Sequence, residues 1–163
     1  MLKLKSISRE AIPRALEKVE RYRLLNEPEE AESICLDILQ IEPENQQALI
    51  ALLLAVTDQF DQKIPEGQLR ELLARLRGEY ERTYYKGIIC ERKAKVYLKQ
   101  NLPGTRFAAY NWLREAMSWY EKAEPIRPSG NDDAVLRWNS CARMIVEGNL
   151  ETDSEDGFEP MLE

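Results

Sequence analysis

Seven stretches with the 3.6-residue spacing of an amphipathic helix, separated by breakers carrying proline or glycine, account for most of this chain. The spacing predicts helices over about 12–25, 27–42, 45–59, 67–77, 79–100 and 105–124, and a seventh opening at Asn131. Pro13 and Pro28 fall in first turns, where a missing N–H costs little. Asn26 is read as the N-cap of the second helix, with Glu29 three residues on as its reciprocal partner. In the third helix Leu49, Ile50, Leu52, Leu53, Leu54 and Val56 are apolar nearly all round, which asks for cover on most sides. DQKIPEG, NLPG and PIRPSG are the clearest breaks. No segment alternates with period two, so an all-α fold without strands is expected.

The helices come in pairs joined by short turns, and the second members of two pairs share a pattern. Ala116, Tyr120, Ala123 and Pro128 place a small residue, a large one four on, a small one three later and a proline five beyond. Ala31, Cys35, Ile38 and Pro43 repeat that spacing. The small residue lets two helices approach, the large one fills the gap and the proline ends the helix. This pattern resembles the tetratricopeptide repeat (TPR) family over about 12–146, as three helix pairs and a closing helix. The resemblance implies a right-handed helical-repeat solenoid. The two motifs lie 85 residues apart, where two standard repeats span about 68. The excess falls in the DQKIP insertion and in the long fifth and sixth helices. The middle pair keeps only Leu69, Leu73 and Leu76 at the right spacing.

Charge divides the chain more sharply than the net value of −6 suggests. Residues 147–163 hold seven acids and no base, leaving residues 1–146 at +1. The reading is therefore a TPR-like domain over 1–147 and an acidic, disordered tail over 148–163. Residues 82–106 hold seven bases against one acid, Glu91, with Tyr84, Tyr85 and Tyr97 interleaved. That stretch reads as a solvated or protein-binding face, with nucleic-acid contact as the alternative. The tail is either a solvated spacer or an intramolecular partner for it. Trp112, Trp119 and Trp138 are read mainly as core. Three scattered cysteines without a CxxC pair suit reduced thiols, and the opening MLKLKSIS lacks the apolar run of a signal peptide. A cytoplasmic location, in a bacterium and away from membrane, is expected.

Chemistry finds little to work with. The chain has no histidine, which removes the commonest general base and metal ligand. It has no phosphate-cradling glycine loop and no cysteines at zinc spacing. Glu29-Glu30 and Asp132-Asp133 are read as acids favoured at helix N-termini. No catalytic residue, metal ligand or cofactor is assigned, and the chain is read as a non-enzyme.

In the TPR family the first helices of the units line a concave groove. The resemblance places Leu16, Glu20 and Arg23 of the first helix there, with Gln47, Ile50, Leu54 and Thr57 of the third. In the fifth, a register with Tyr85, Ile88 and Ile89 buried places Lys86, Cys90 and Lys93 there. The lysine and asparagine clamp that some family members use on chaperone C-termini does not carry over. The expected function is a scaffold that binds a peptide or helix of a partner protein of unknown identity in this groove. The alternatives are an assembly subunit that forms homo- or hetero-oligomers and a nucleic-acid-associated adaptor.

Overall fold

A computed structural model describes residues 1–61 and 63–151. Seven α-helices and no strand appear among the described residues: α1 Ile12–Leu24, α2 Pro28–Ile41, α3 Gln46–Asp58, α4 Glu66–Arg75, α5 Glu79–Gln100, α6 Thr105–Ala123 and α7 Asp133–Gly148. Single 3₁₀ turns at Arg9–Ala11 and Glu124–Ile126 precede α1 and follow α6. No described helix is long and apolar enough to cross a membrane. The sequence suggests one domain over 1–147, whereas the chain divides into two compact units, Met1–Gly78 and the part from Glu79 onward.

The first unit is a helical stack in which α2 packs on α1, α3 on α2 and α4 on α3, with α1 also touching α3. Its core is aliphatic apart from the Cys35 thiol and the Thr57 hydroxyl. Val19, Ala31, Cys35, Ile38, Ala48, Leu49, Leu53 and Ala55 have no exposed surface. Each large member of that set contributes about 1.5–3 kcal/mol relative to exposure. Asn45 caps α3 by accepting the Ala48 N–H at 2.9 Å. Polar bonds then fix the end of α4. The Arg75 guanidinium donates to the Pro43 carbonyl at 2.6 Å, and the Arg77 N–H donates to the Gln46 side chain at 2.9 Å.

Asn26 does not cap α2, which has no side-chain cap. It sits instead in the left-handed region at φ 59° and closes α1. Its N–H reaches the Arg23 carbonyl at 3.1 Å and the Glu27 N–H reaches the Tyr22 carbonyl at 2.8 Å, so two carbonyls of the last turn are satisfied. A helix end wins over a helix start here because a three-residue connection, Leu25 to Glu27, must first reverse the chain. Asn149 closes α7 in the same way at φ 54°. The Leu150 N–H bonds the Ile145 carbonyl at 3.0 Å, and Leu150 itself is buried. Packing among the described residues thus includes Leu150, three residues beyond the boundary read from the sequence. Residues 152–163 of the acidic tail, and any contact they make with the basic stretch, lie outside the described residues.

In the second unit the long pair α5 and α6 forms a hairpin, and α7 packs on α6. NLPG makes the turn, with Gly104 at φ 80°. Thr105 bonds back to both backbone groups of Leu102. At Gly87 a Cβ would stand 2.5 Å from Cε1 of Tyr120, so only glycine lets that ring lie against α5.

Candidate functional site

Three turns of α1 and three of α3 face each other across a cleft of about 390 Å³ in the first unit. Its residues recur at helical spacing: Pro13, Leu16, Glu20 and Arg23 on one side, Gln47, Ile50, Ala51 and Leu54 on the other. Leu16, Ile50 and Leu54 are only partly buried, unlike their neighbours Leu49, Leu52 and Leu53 in the core. Glu17 and Glu20 stand exposed along the α1 rim. At the Arg23 end the guanidinium grips the Asp58 carboxylate with two bonds, 2.7 and 3.3 Å. That pair spends the positive charge of the cleft internally, so the rim acids set its sign.

Of the groove residues expected from sequence, Leu16, Glu20, Arg23, Gln47, Ile50 and Leu54 line this one cleft. Thr57 does not. It is buried, and its hydroxyl donates to the Leu54 carbonyl at 2.8 Å. The stripe through Gln47, Ile50 and Leu54 continues to Asp58, four residues on, and the extra 100° turns Thr57 into the core. Asp58 was the missed member. An acid one helical turn past Leu54 and an unexplained Arg23 were the available signals.

Lys86 and Lys93 belong to the second unit and carry a different arrangement. The Lys86 ammonium lies 4.7 Å from the Trp119 ring centre and that of Lys93 lies 4.5 Å from Trp112. Lys122 covers Trp119 as well, at 4.4 Å. Such contacts draw on the negative face of the indole. Lys93 and Cys90 are buried, so neither presents a groove surface of its own. All three tryptophans are half-buried rather than core, Trp112 and Trp119 under these lysines, and the Trp138 N–H reaches Glu121 at 2.9 Å.

Comparison with family models, with curated proteins and with solved structures finds no match.

The residue that organises the second unit is Glu91, the one acid of the basic stretch. It is 1% exposed and sits among groups from three helices. Tyr120 of α6 donates its hydroxyl at 3.0 Å. Arg137 of α7 donates from Nε at 3.1 Å and from Nη2, and Lys95 of α5 stands at 3.2 Å. The Cys141 thiol completes the ring at 3.5 Å. Burial alone would raise the carboxyl pKa, but the Arg137 and Lys95 contacts outweigh it and hold Glu91 below its ordinary range. Burial and the Glu91 charge push the Tyr120 hydroxyl and the Cys141 thiol up, so both stay protonated. This cluster consists of satisfied donors around one acceptor. No group of His, Cys, Asp or Glu suited to a metal ion occurs among the described residues.

Proposed function

We propose that this chain is a non-catalytic interaction module, a divergent TPR-like protein whose first unit holds a segment of another polypeptide between α1 and α3. The observation that carries the reading is the cleft itself. Leu16, Ile50 and Leu54 are aliphatic and partly uncovered beside a core that is otherwise closed, under a rim of exposed acids. Such a surface suits two or three apolar anchors on a short segment. The TPR-like part of the reading is supported by the motif residues. Ala31, Cys35, Ile38, Ala116 and Ala123 have no exposed surface and Tyr120 has 1%, as residues at close helix contacts should. The basic stretch favours nucleic acid less, because Lys86, Lys93 and Lys95 are engaged by Trp119, Trp112 and Glu91.

Selection from a random peptide library displayed on phage tests the reading. Peptides with apolar anchors should be enriched by the native chain and lost on a variant carrying Ile50→Asp and Leu54→Asp. Circular dichroism should show that this variant keeps its helix content, since both side chains are only half-covered. Peptides that bind the variant as well as the native chain would move the site elsewhere.

A further inference from the structure

The first unit also carries a segment that matches its own cleft. Residues 1–8 form no helix or strand. Met1, Leu2 and Leu4 are 122%, 99% and 91% exposed, so they make next to no contact with their own chain. Lys3 and Lys5 alternate with them, also exposed. In an extended strand Leu2 and Leu4 would face one side, about 7 Å apart, and the lysines the other. Ile50 and Leu54 stand about 6 Å apart along α3, one helical turn. Glu17 and Glu20 line the facing rim, and Arg23 is already committed to Asp58. Apolar spacing and charge therefore both fit.

The geometry points to the leading segment of a second copy of this chain as an occupant of the α1/α3 cleft. Leu2 and Leu4 enter over Ile50 and Leu54, and Lys3 and Lys5 meet Glu17 and Glu20. A second copy is favoured over the same chain because the 3₁₀ turn at Arg9–Ala11, closed by the Ala11 N–H on the Ser8 carbonyl at 3.1 Å, leaves residues 1–5 projecting clear of their own unit. Exchange is reciprocal, each copy giving a segment and receiving one, which closes a two-fold dimer and prevents open polymers. The inference rests on the proposed use of the cleft and adds the identity of one occupant.

Sedimentation of the full chain from micromolar to millimolar concentration tests it. The native chain should pass from monomer to dimer, and added salt should weaken the dimer because the lysine–glutamate contacts are exposed. Leu2→Asp with Leu4→Asp lies outside the folded body and should weaken association by on the order of a hundredfold. The double reversal Lys3→Glu and Lys5→Glu should weaken it too, and adding Glu17→Lys and Glu20→Lys should restore it. An equimolar mixture of the leucine variant with the Ile50→Asp, Leu54→Asp variant should form a dimer that neither forms alone, held by one segment in one cleft. A native chain that stays monomeric throughout overturns the inference. So does a dimer indifferent to the leucine variant, or charge reversals that fail to compensate. In each of those cases library peptides still lost on Ile50→Asp with Leu54→Asp would leave the cleft reading standing, whereas peptides indifferent to it would remove both.

Discussion

The two units solve the same packing problem with different materials. In the first, small and aliphatic side chains close the core and the internal ion pair Arg23–Asp58 lies at its edge, 25% and 17% exposed. In the second, a carboxylate sits at the centre, fixed by an arginine, a lysine, a tyrosine and a thiol from three helices. Apolar packing tolerates small shifts and can leave a cleft half-open. A buried charge does not, because each donor withdrawn exposes it to a medium that cannot solvate it. The first unit is thus the adaptable one, and the second is held in one arrangement.

Removing the arginine breaks this contrast most directly. Arg137→Ala strips Glu91 of two hydrogen bonds and most of its compensating charge, and should cost about 3 kcal/mol. Urea unfolding followed by tryptophan fluorescence reads the second unit alone, since all three tryptophans lie there. A loss under about 1 kcal/mol would mean that Lys95 suffices and that the unit is held by apolar contact like its neighbour.

Steric tests come next. Gly87→Ala gains helix propensity of about 1 kcal/mol but drives a methyl into the Tyr120 ring, which Glu91 and Tyr84 hold in place. A net loss of about 1–2 kcal/mol is expected, and a stabilised variant would show that the ring yields. Ala31→Leu and Ala116→Leu overpack the same motif position in each unit, and each should cost about 1–3 kcal/mol. The cost at Ala116 should be the larger. Equal losses would erase the distinction in rigidity.

Acid gives a third test. The folded pKa of Glu91 is depressed, so its contribution is fully present above the unfolded value, about 4.3, and is lost as pH falls through the lower folded value. Thermal melts of the native chain should therefore lose stability below about pH 4 by at most about 1.4 kcal/mol per pH unit from this group. The difference between native chain and Glu91→Gln should narrow across the same window. A constant difference would place the carboxylate outside the linkage. The smallest effect belongs to the first unit, where Arg23→Ala should cost under about 1 kcal/mol, its ion pair being partly solvated. A larger loss, seen in the melting of a fragment or by hydrogen exchange, would make that pair a second hub.

Helices were legible because periodicity and breakers act locally. The span Glu79–Gln100 follows from its flanking RG and NLPG, and Leu49, Leu52, Leu53 and Val56 are buried as their spacing requires. The cleft was legible through the same period, up to Thr57, where a register one residue out sends a side chain into the core. The Glu91 cluster was not. Apart from Lys95, four residues on, its partners lie 29 to 50 residues away, and a single acid among seven bases is equally well read as chance on a solvated face. The Lys86–Trp119 and Lys93–Trp112 contacts were hidden for the same reason, being pairings between α5 and α6. Asn26 was misread because asparagine serves both ends of helices, and the choice depends on a φ angle that one residue's identity does not determine.

The buried cysteines turn the division of the chain into something that can be timed. Cys35 lies in the first unit with no exposed surface, and burial pushes its thiol up to about 12. Cys141 lies in the second, equally covered, with a raised thiol beside the Glu91 charge. Only a thiolate attacks a disulfide reagent, displacing its leaving thiolate, so at neutral pH neither cysteine reacts until its surroundings open. Labelling rates at the two positions, resolved by mass spectrometry, are then two independent clocks of local opening. The softer unit should tick first, at Cys35, long before the chain as a whole unfolds.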